Sequence, residues 1–146
     1  MIKSPYTNGF VFAGLMIVVS HAIAAAQKVE CPTEIPPSAV QVVNMPGWKM
    51  FIQFPLYLSS AGMSAGPPES LAVLRGESLN RSDSGQSTRY EFGDMGLEHG
   101  KWLDCGYGTG SQITLSKRLD DALRECTVTY LKSKRPDKQN IKITCK

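Results

Sequence analysis

The C-terminal stretch CTVTYLKSKRPDKQNIKITC, running from Cys126 to Cys145, restricts the fold more than any other part of the chain. Its apolar residues fall at every second position on either side of a charged centre. Cys126, Val128 and Tyr130 share one parity, and Ile141, Ile143 and Cys145 share one parity on the return. Side chains of one parity project from one face of a strand. One antiparallel register therefore sets Cys126 opposite Cys145, Val128 opposite Ile143 and Tyr130 opposite Ile141. Opposed residues bring their Cβ atoms to roughly 4.5–5.5 Å, near the spacing a disulfide needs. The stretch predicts a β-hairpin stapled at its open end, with SKRPDKQ as an exposed tip. Two buried free thiols are the alternative, and the start of the chain argues against them.

That start, MIKSPYTNGFVFAGLMIVVSHAIAAAQ, carries Lys3 as its only charge, then an apolar run, then Ala24-Ala25-Ala26. The layout is that of a secretory signal with small residues before a cut after Ala26. The apolar run is shorter than the ~20 residues that a membrane-spanning helix requires, so no stable membrane anchor is expected. Val29-Glu30 ahead of Cys31 lacks the small residue of a lipoprotein signal, so a lipid anchor is not expected either. The expected organisation is a cleaved signal over 1–26 and a single β-rich domain over 27–146, exported to the periplasm or beyond. All four cysteines lie after the cut. An even count in an exported chain reads as a disulfide framework. The hairpin register selects Cys126–Cys145, which leaves Cys31–Cys105 by elimination.

Short β-type runs separated by turn residues fill the middle of the chain. Residues 40–43, 48–54, 56–60, 71–74, 89–92, 101–107 and 112–116 are strand candidates, and AGMSAGPPES is a turn region. The polar stretch RGESLNRSDSGQST reads as a mobile loop. Leu119, Ala122, Leu123 and Cys126 recur at helical spacing behind Asp120 and Asp121, which predicts one short helix. The expected fold is mainly β: an antiparallel sandwich or open barrel of about seven or eight short strands with one short helix and two disulfides.

Catalytic chemistry finds little support. His99 is the only histidine after the signal, in the polar stretch DMGLEHGKW, and reads as a surface loop residue. No Gly-x-Ser-x-Gly elbow nominates a serine. One histidine and four paired cysteines are a poor zinc ligand set, so no metal and no cofactor are expected. GYGTG lacks the spacing of a phosphate-cradling loop and reads as a hairpin turn. Asp94, Glu98 and Asp104 lie close in sequence, but a carboxylate pair also needs a cleft and a set separation. The reading is a protein that is not an enzyme.

Charge is more informative. Residues 117–146 hold nine basic and four acidic side chains, a net of +5, while residues 27–116 hold six and nine, a net of −3. The hairpin tip, with Lys132, Lys134, Arg135 and Lys138, forms the positive end and is the expected partner-binding site. Such a patch accelerates encounter with acidic partners. Nucleic acid is not an expected partner, because the chain is exported and its basic run has no interleaved aromatics. The competing reading is that these cations keep the hairpin soluble and guard its edge.

Cys31-Pro32, Gly47-Trp48, Gly66-Pro67-Pro68, Trp102-Leu103-x-Cys105-x-Tyr107, Cys126-x-Val128-x-Tyr130 and Ile143-x-Cys145 occur in that order. Together they resemble a family of small exported four-cysteine proteins of Gram-negative bacteria, some encoded within type VI secretion gene clusters. The resemblance implies a periplasmic binding protein, an immunity protein that occupies a cell-wall-attacking effector enzyme. The stretch WLDCGYGTGSQITL is also similar to periplasmic lysozyme inhibitors, which gives the alternative of a lysozyme inhibitor. A structural envelope protein is the remaining alternative.

Overall fold

Pairing in the C-terminal hairpin follows the anticipated register: Cys126 faces Cys145, Val128 faces Ile143 and Tyr130 faces Ile141. The structure, a computed structural model, describes residues 27–79, 85–93 and 97–146. The signal read over 1–26 and the carboxylate Asp94 lie outside the described residues. Among the described residues nine strands form two sheets, in which every strand pair is antiparallel. In chain order they are β1 (Gln27–Lys28), β2 (Glu34–Ile35), β3 (Leu56–Ser64), β4 (Glu77–Ser78), β5 (Gly85–Glu91), β6 (Trp102–Tyr107), β7 (Ile113–Arg118), β8 (Glu125–Leu131) and β9 (Asn140–Cys145). One sheet runs β1-β9-β8-β5-β4 and the other β2-β3-β6-β7.

Alternation builds the core between them. Leu103, Cys105 and Tyr107 of β6 face inward, and so do Cys126 and Val128 of β8 and Ile143 and Cys145 of β9, joined by Leu58, Met63 and Phe92. The first disulfide, Cys31–Cys105, ties the segment crossing from β1 to β2 onto β6. Tyr107, fully buried two residues further along the same face, donates its hydroxyl to the Pro32 carbonyl at 2.8 Å and fixes the same crossing a second time. The second disulfide, Cys126–Cys145, closes the hairpin within its own sheet.

The outer edge of β3 explains how the two sheets meet. β2 covers it only at Leu56 and Tyr57, and a strand edge beyond that point presents unpaired amides and carbonyls. The other sheet supplies the partners. Gln139 donates its amide to the Leu58 carbonyl at 2.8 Å. The Tyr130 hydroxyl accepts from the Ala61 amide and donates to the Ala61 carbonyl, each at 3.0 Å. Leu74 then donates to the Met63 carbonyl at 2.8 Å, and Ala65 to the Ala72 carbonyl at 2.9 Å. The terminal hairpin thus folds over the edge of β3, half closing a barrel.

Five local readings require correction. Residues 40–43 and 48–54 form no strand: Asn44 and Gly47 turn the backbone to positive φ between them, and Pro46 lacks the amide that a ladder needs. The 71–74 run contributes a single bridge, Ser64 to Val73, with Leu71 itself at φ 51°. β3 continues through Ala61-Gly62-Met63-Ser64, where the small residues predict a turn; the strand pairs there with β6, and the Tyr90 hydroxyl lies over Gly62. The helix over 119–126 is absent. Leu119 and Leu123 are both buried, as the spacing required, but a turn achieves it, with the Asp120 carboxylate accepting from the Ala122 amide at 2.8 Å. Cys126 belongs to β8, and the short helical turns are 3-10 turns at Pro37–Ala39, Pro68–Ser70 and Leu97–His99. Within the polar stretch read as a loop, β4 and the start of β5 pair with each other.

Candidate functional site

The hairpin tip is ordered by its own sequence. Pro136 and Asp137 make the reversal, closed from the Lys138 amide to the Arg135 carbonyl, and Pro fits the first central position of such a turn because its ring presets φ. The Ser133 hydroxyl accepts from the Arg135 amide at 3.2 Å. Arg135 then grips Asp137 with both Nε and Nη2, a bidentate pair that fixes the guanidinium plane. This contact holds the Asp137 carboxyl below the usual carboxylate range and raises the Arg135 guanidinium further above its ordinary value, Tyr57 adding to the second effect.

Rather than extending into solvent, the tip lies on β3. The Arg135 guanidinium stacks 4.5 Å from the centre of the Tyr57 ring, and Lys138 Nζ sits 5.6 Å from the same ring. Two cations within reach of one ring form a pair of cation–π contacts. Lys132 and Lys134 remain exposed on the flank, and no ion pair engages them among the described residues. Of the four predicted partner-binding residues, Arg135 and Lys138 are therefore gathered on Tyr57 while Lys132 and Lys134 stay free to meet another molecule.

Three hollows surround this end. One of about 440 Å³ lies under the hairpin, between Leu58, Cys31 and Thr33 on one side and Lys132, Lys134 and Lys138 on the other. A second, of about 590 Å³, opens on the opposite flank beside Gly85, Tyr130 and Pro136. The third, of about 350 Å³, runs between Tyr57, Pro136 and the Gly108-Thr109-Gly110 turn. GYGTG is the β6–β7 hairpin turn anticipated from its glycines, with Gly108 and Gly110 both at φ 79°. At its base the Ser111 hydroxyl meets those of Ser60 at 2.7 Å and Ser59 at 3.1 Å.

The residues considered for catalysis do not converge. His99 is exposed on its 3-10 turn, and its carbonyl accepts from the Trp102 indole at 2.9 Å. Asp104 accepts from the Ser116 hydroxyl at 2.6 Å, and Glu98 is exposed near His99. Among the described residues no group of three potential ligands is gathered for a metal.

The profile of the Type VI secretion system Tli immunity protein family matches residues 53–146, well over half of the chain. The chain belongs to the Type VI secretion system Tli immunity protein family. The matched region spans β3 to β9 and contains Tyr57, the basic tip and three of the four cysteines; β1, β2 and Cys31 precede it. Comparison with curated proteins and with solved structures finds no match. Two features, one inside the matched region and one ahead of it, escaped the sequence. Tyr57, the platform of the tip, had no signal beyond being an aromatic just after Pro55. The exposed segment before it was read as strands, although Pro46, Gly47 and Pro55 already punctuated it.

Proposed function

We propose that this chain is a periplasmic immunity protein that is not itself an enzyme and neutralises a cell-wall-attacking effector by occupying it as a stoichiometric inhibitor, with the basic hairpin end as its contact. Membership of the Tli immunity family carries the reading. The geometry supports it in physical terms. Two disulfides and the Tyr57 stack hold the tip in one conformation before any partner arrives, so docking sacrifices little conformational entropy. The exposed Lys132 and Lys134 are suited to steering an acidic active-site rim towards the tip.

The test is protection. Cells producing a type VI peptidoglycan hydrolase in their periplasm lyse, and co-production of the full chain with its signal should restore growth, with a one-to-one complex recovered from the periplasmic fraction. Export is tested in the same cells by the size of the purified product, which should begin at Gln27. Continued lysis with every such hydrolase, or protection by the chain only when it is kept inside the cytoplasm, would reject the proposal.

A further inference from the structure

We infer that the segment 42–54 is the apolar anchor by which this chain grips its effector, and that the partner face it fits is an apolar hollow bordered by carboxylates. The inference rests on the immunity reading above and names the surface that carries it out.

Residues 41–51 are all exposed, an unbroken run without strand or helix, yet they include Val42, Val43, Met45, Trp48, Met50 and Phe51. Trp48 is 75%, Phe51 86% and the nearby Phe54 65% accessible. Large side chains so exposed in one contiguous stretch mark an interaction site on a water-soluble surface. Aromatic residues and Met are also the types enriched at the centre of protein interfaces, where charged residues are depleted. Lys49 is the sole charge in 41–54.

The segment is shaped rather than loose at its centre. Met45-Pro46-Gly47-Trp48 closes a turn from the Trp48 amide to the Met45 carbonyl at 3.2 Å, with Gly47 at φ 84° in the position that demands glycine. Val40 packs on the core before it. After it, Pro55 and Leu56 lead into Tyr57, the ring that carries Arg135, and Pro55 and Pro136 line one hollow. The aromatic segment therefore leads directly, through Pro55 and Leu56, to the ring on which the basic tip rests, which sets apolar side chains next in the chain to a cationic surface. Charge complementarity selects the partner: an effector face whose apolar hollow is edged by Asp and Glu. Trp48 and Phe51 precede the residues that the family profile matches, so the apolar anchors lie just ahead of the shared domain in the chain.

The experiment measures binding of the full chain, as exported, to a purified type VI peptidoglycan hydrolase that the wild type neutralises. Trp48→Ala combined with Phe51→Ala should weaken affinity at least ~100-fold, the loss expected for two central anchors. Trp48→Phe should retain affinity within ~5-fold of the wild type, and both variants should keep the wild-type urea midpoint because the side chains they change are already in water. In a Trp102→Phe background, complex formation should shift Trp48 emission to the blue. Equal affinity of the double variant and the wild type overturns this inference alone. If the wild type binds none of the hydrolases, both the immunity proposal and this inference fall. Two further arms use the chain alone. Loss, in the double variant, of binding to vesicles of phosphatidylethanolamine and phosphatidylglycerol would assign the segment to lipid instead, and loss of a wild-type dimer in sedimentation would assign it to a second copy; either result overturns the effector assignment.

Discussion

The two disulfides close loops of very different length, and each can be measured by retaining one bridge and reducing it. The sequence separations are 74 for Cys31–Cys105 and 19 for Cys126–Cys145. Chain entropy assigns a cross-link about 2.1 + 1.5R ln n cal/mol/K, which at 25 °C is about 4.4 kcal/mol for the long loop and about 3.2 for the short one. The difference, ~1.2 kcal/mol, depends only on the ratio of the two lengths. The variant Cys126→Ala/Cys145→Ala keeps the long bridge, and Cys31→Ala/Cys105→Ala keeps the short one. Urea unfolding of each, with and without dithiothreitol, gives the loss on reduction while the packing of the retained sulfurs stays nearly constant. This control matters because Cys126 and Cys145 are fully buried and their removal carries a packing cost of its own. The long-bridge variant should lose more on reduction and approach unfolding in water, since a small domain has only about 5–15 kcal/mol in total. An equal loss in the two variants, or a larger one for the short bridge, would refute the loop-closure reasoning and show that the unfolded chain already holds residues 31 and 105 together.

Removing the hydroxyl that caps the β3 edge, by Tyr130→Phe, strands the Ala61 amide and carbonyl and should cost about 1–3 kcal/mol in urea unfolding; a loss below ~0.5 kcal/mol would mean that water replaces the cap. Burial raises the Tyr107 hydroxyl above its ordinary value, and does the same for Tyr90 with help from the neighbouring Tyr130. The folded state then keeps protons that the unfolded chain releases, so this stability is whole below the ordinary tyrosine pKa of about 10 and is lost as pH rises from there through the higher folded values. Unfolding free energies measured on either side of that pH should fall, less steeply in Tyr107→Phe, and a flat profile would contradict the shifts. Reversing charge at the tip, with Lys134→Glu and Arg135→Glu, should slow association with the effector about tenfold at low salt and leave little difference at high salt. An unchanged association rate would remove the tip from the encounter.

The terminal hairpin was legible because three constraints agreed: alternation on each arm, a polar centre, and cysteines that the same register brings face to face. The long bridge followed from it by elimination, and the β6–β7 turn from the glycines of GYGTG. The strands expected over 40–43 and 48–54 are missing for a physical reason. The run is apolar and β-prone, but Asn44 and Gly47 at positive φ and Pro46 between them break it, and the neighbouring β3 edge is taken by Gln139, Tyr130 and Leu74, which lie far along the chain. Leu119 and Leu123 show a similar limit: their spacing required both to be buried, but an Asp120 turn satisfied that as well as a helix would have. At the candidate site the sequence supplied the cations but not Tyr57, because stacking of Arg135 on a ring 78 positions earlier depends on how the sheets close.

The central claim is stoichiometric inhibition, and one titration tests it most directly. A purified type VI peptidoglycan hydrolase is held at a fixed concentration well above the expected dissociation constant, and a chain comprising residues 27–146 is added while cell-wall turnover is followed. Activity should fall in a straight line and reach its floor at one equivalent. Full activity in the presence of a large excess of the chain, or loss of activity at a small fraction of an equivalent as catalysis would give, would contradict it.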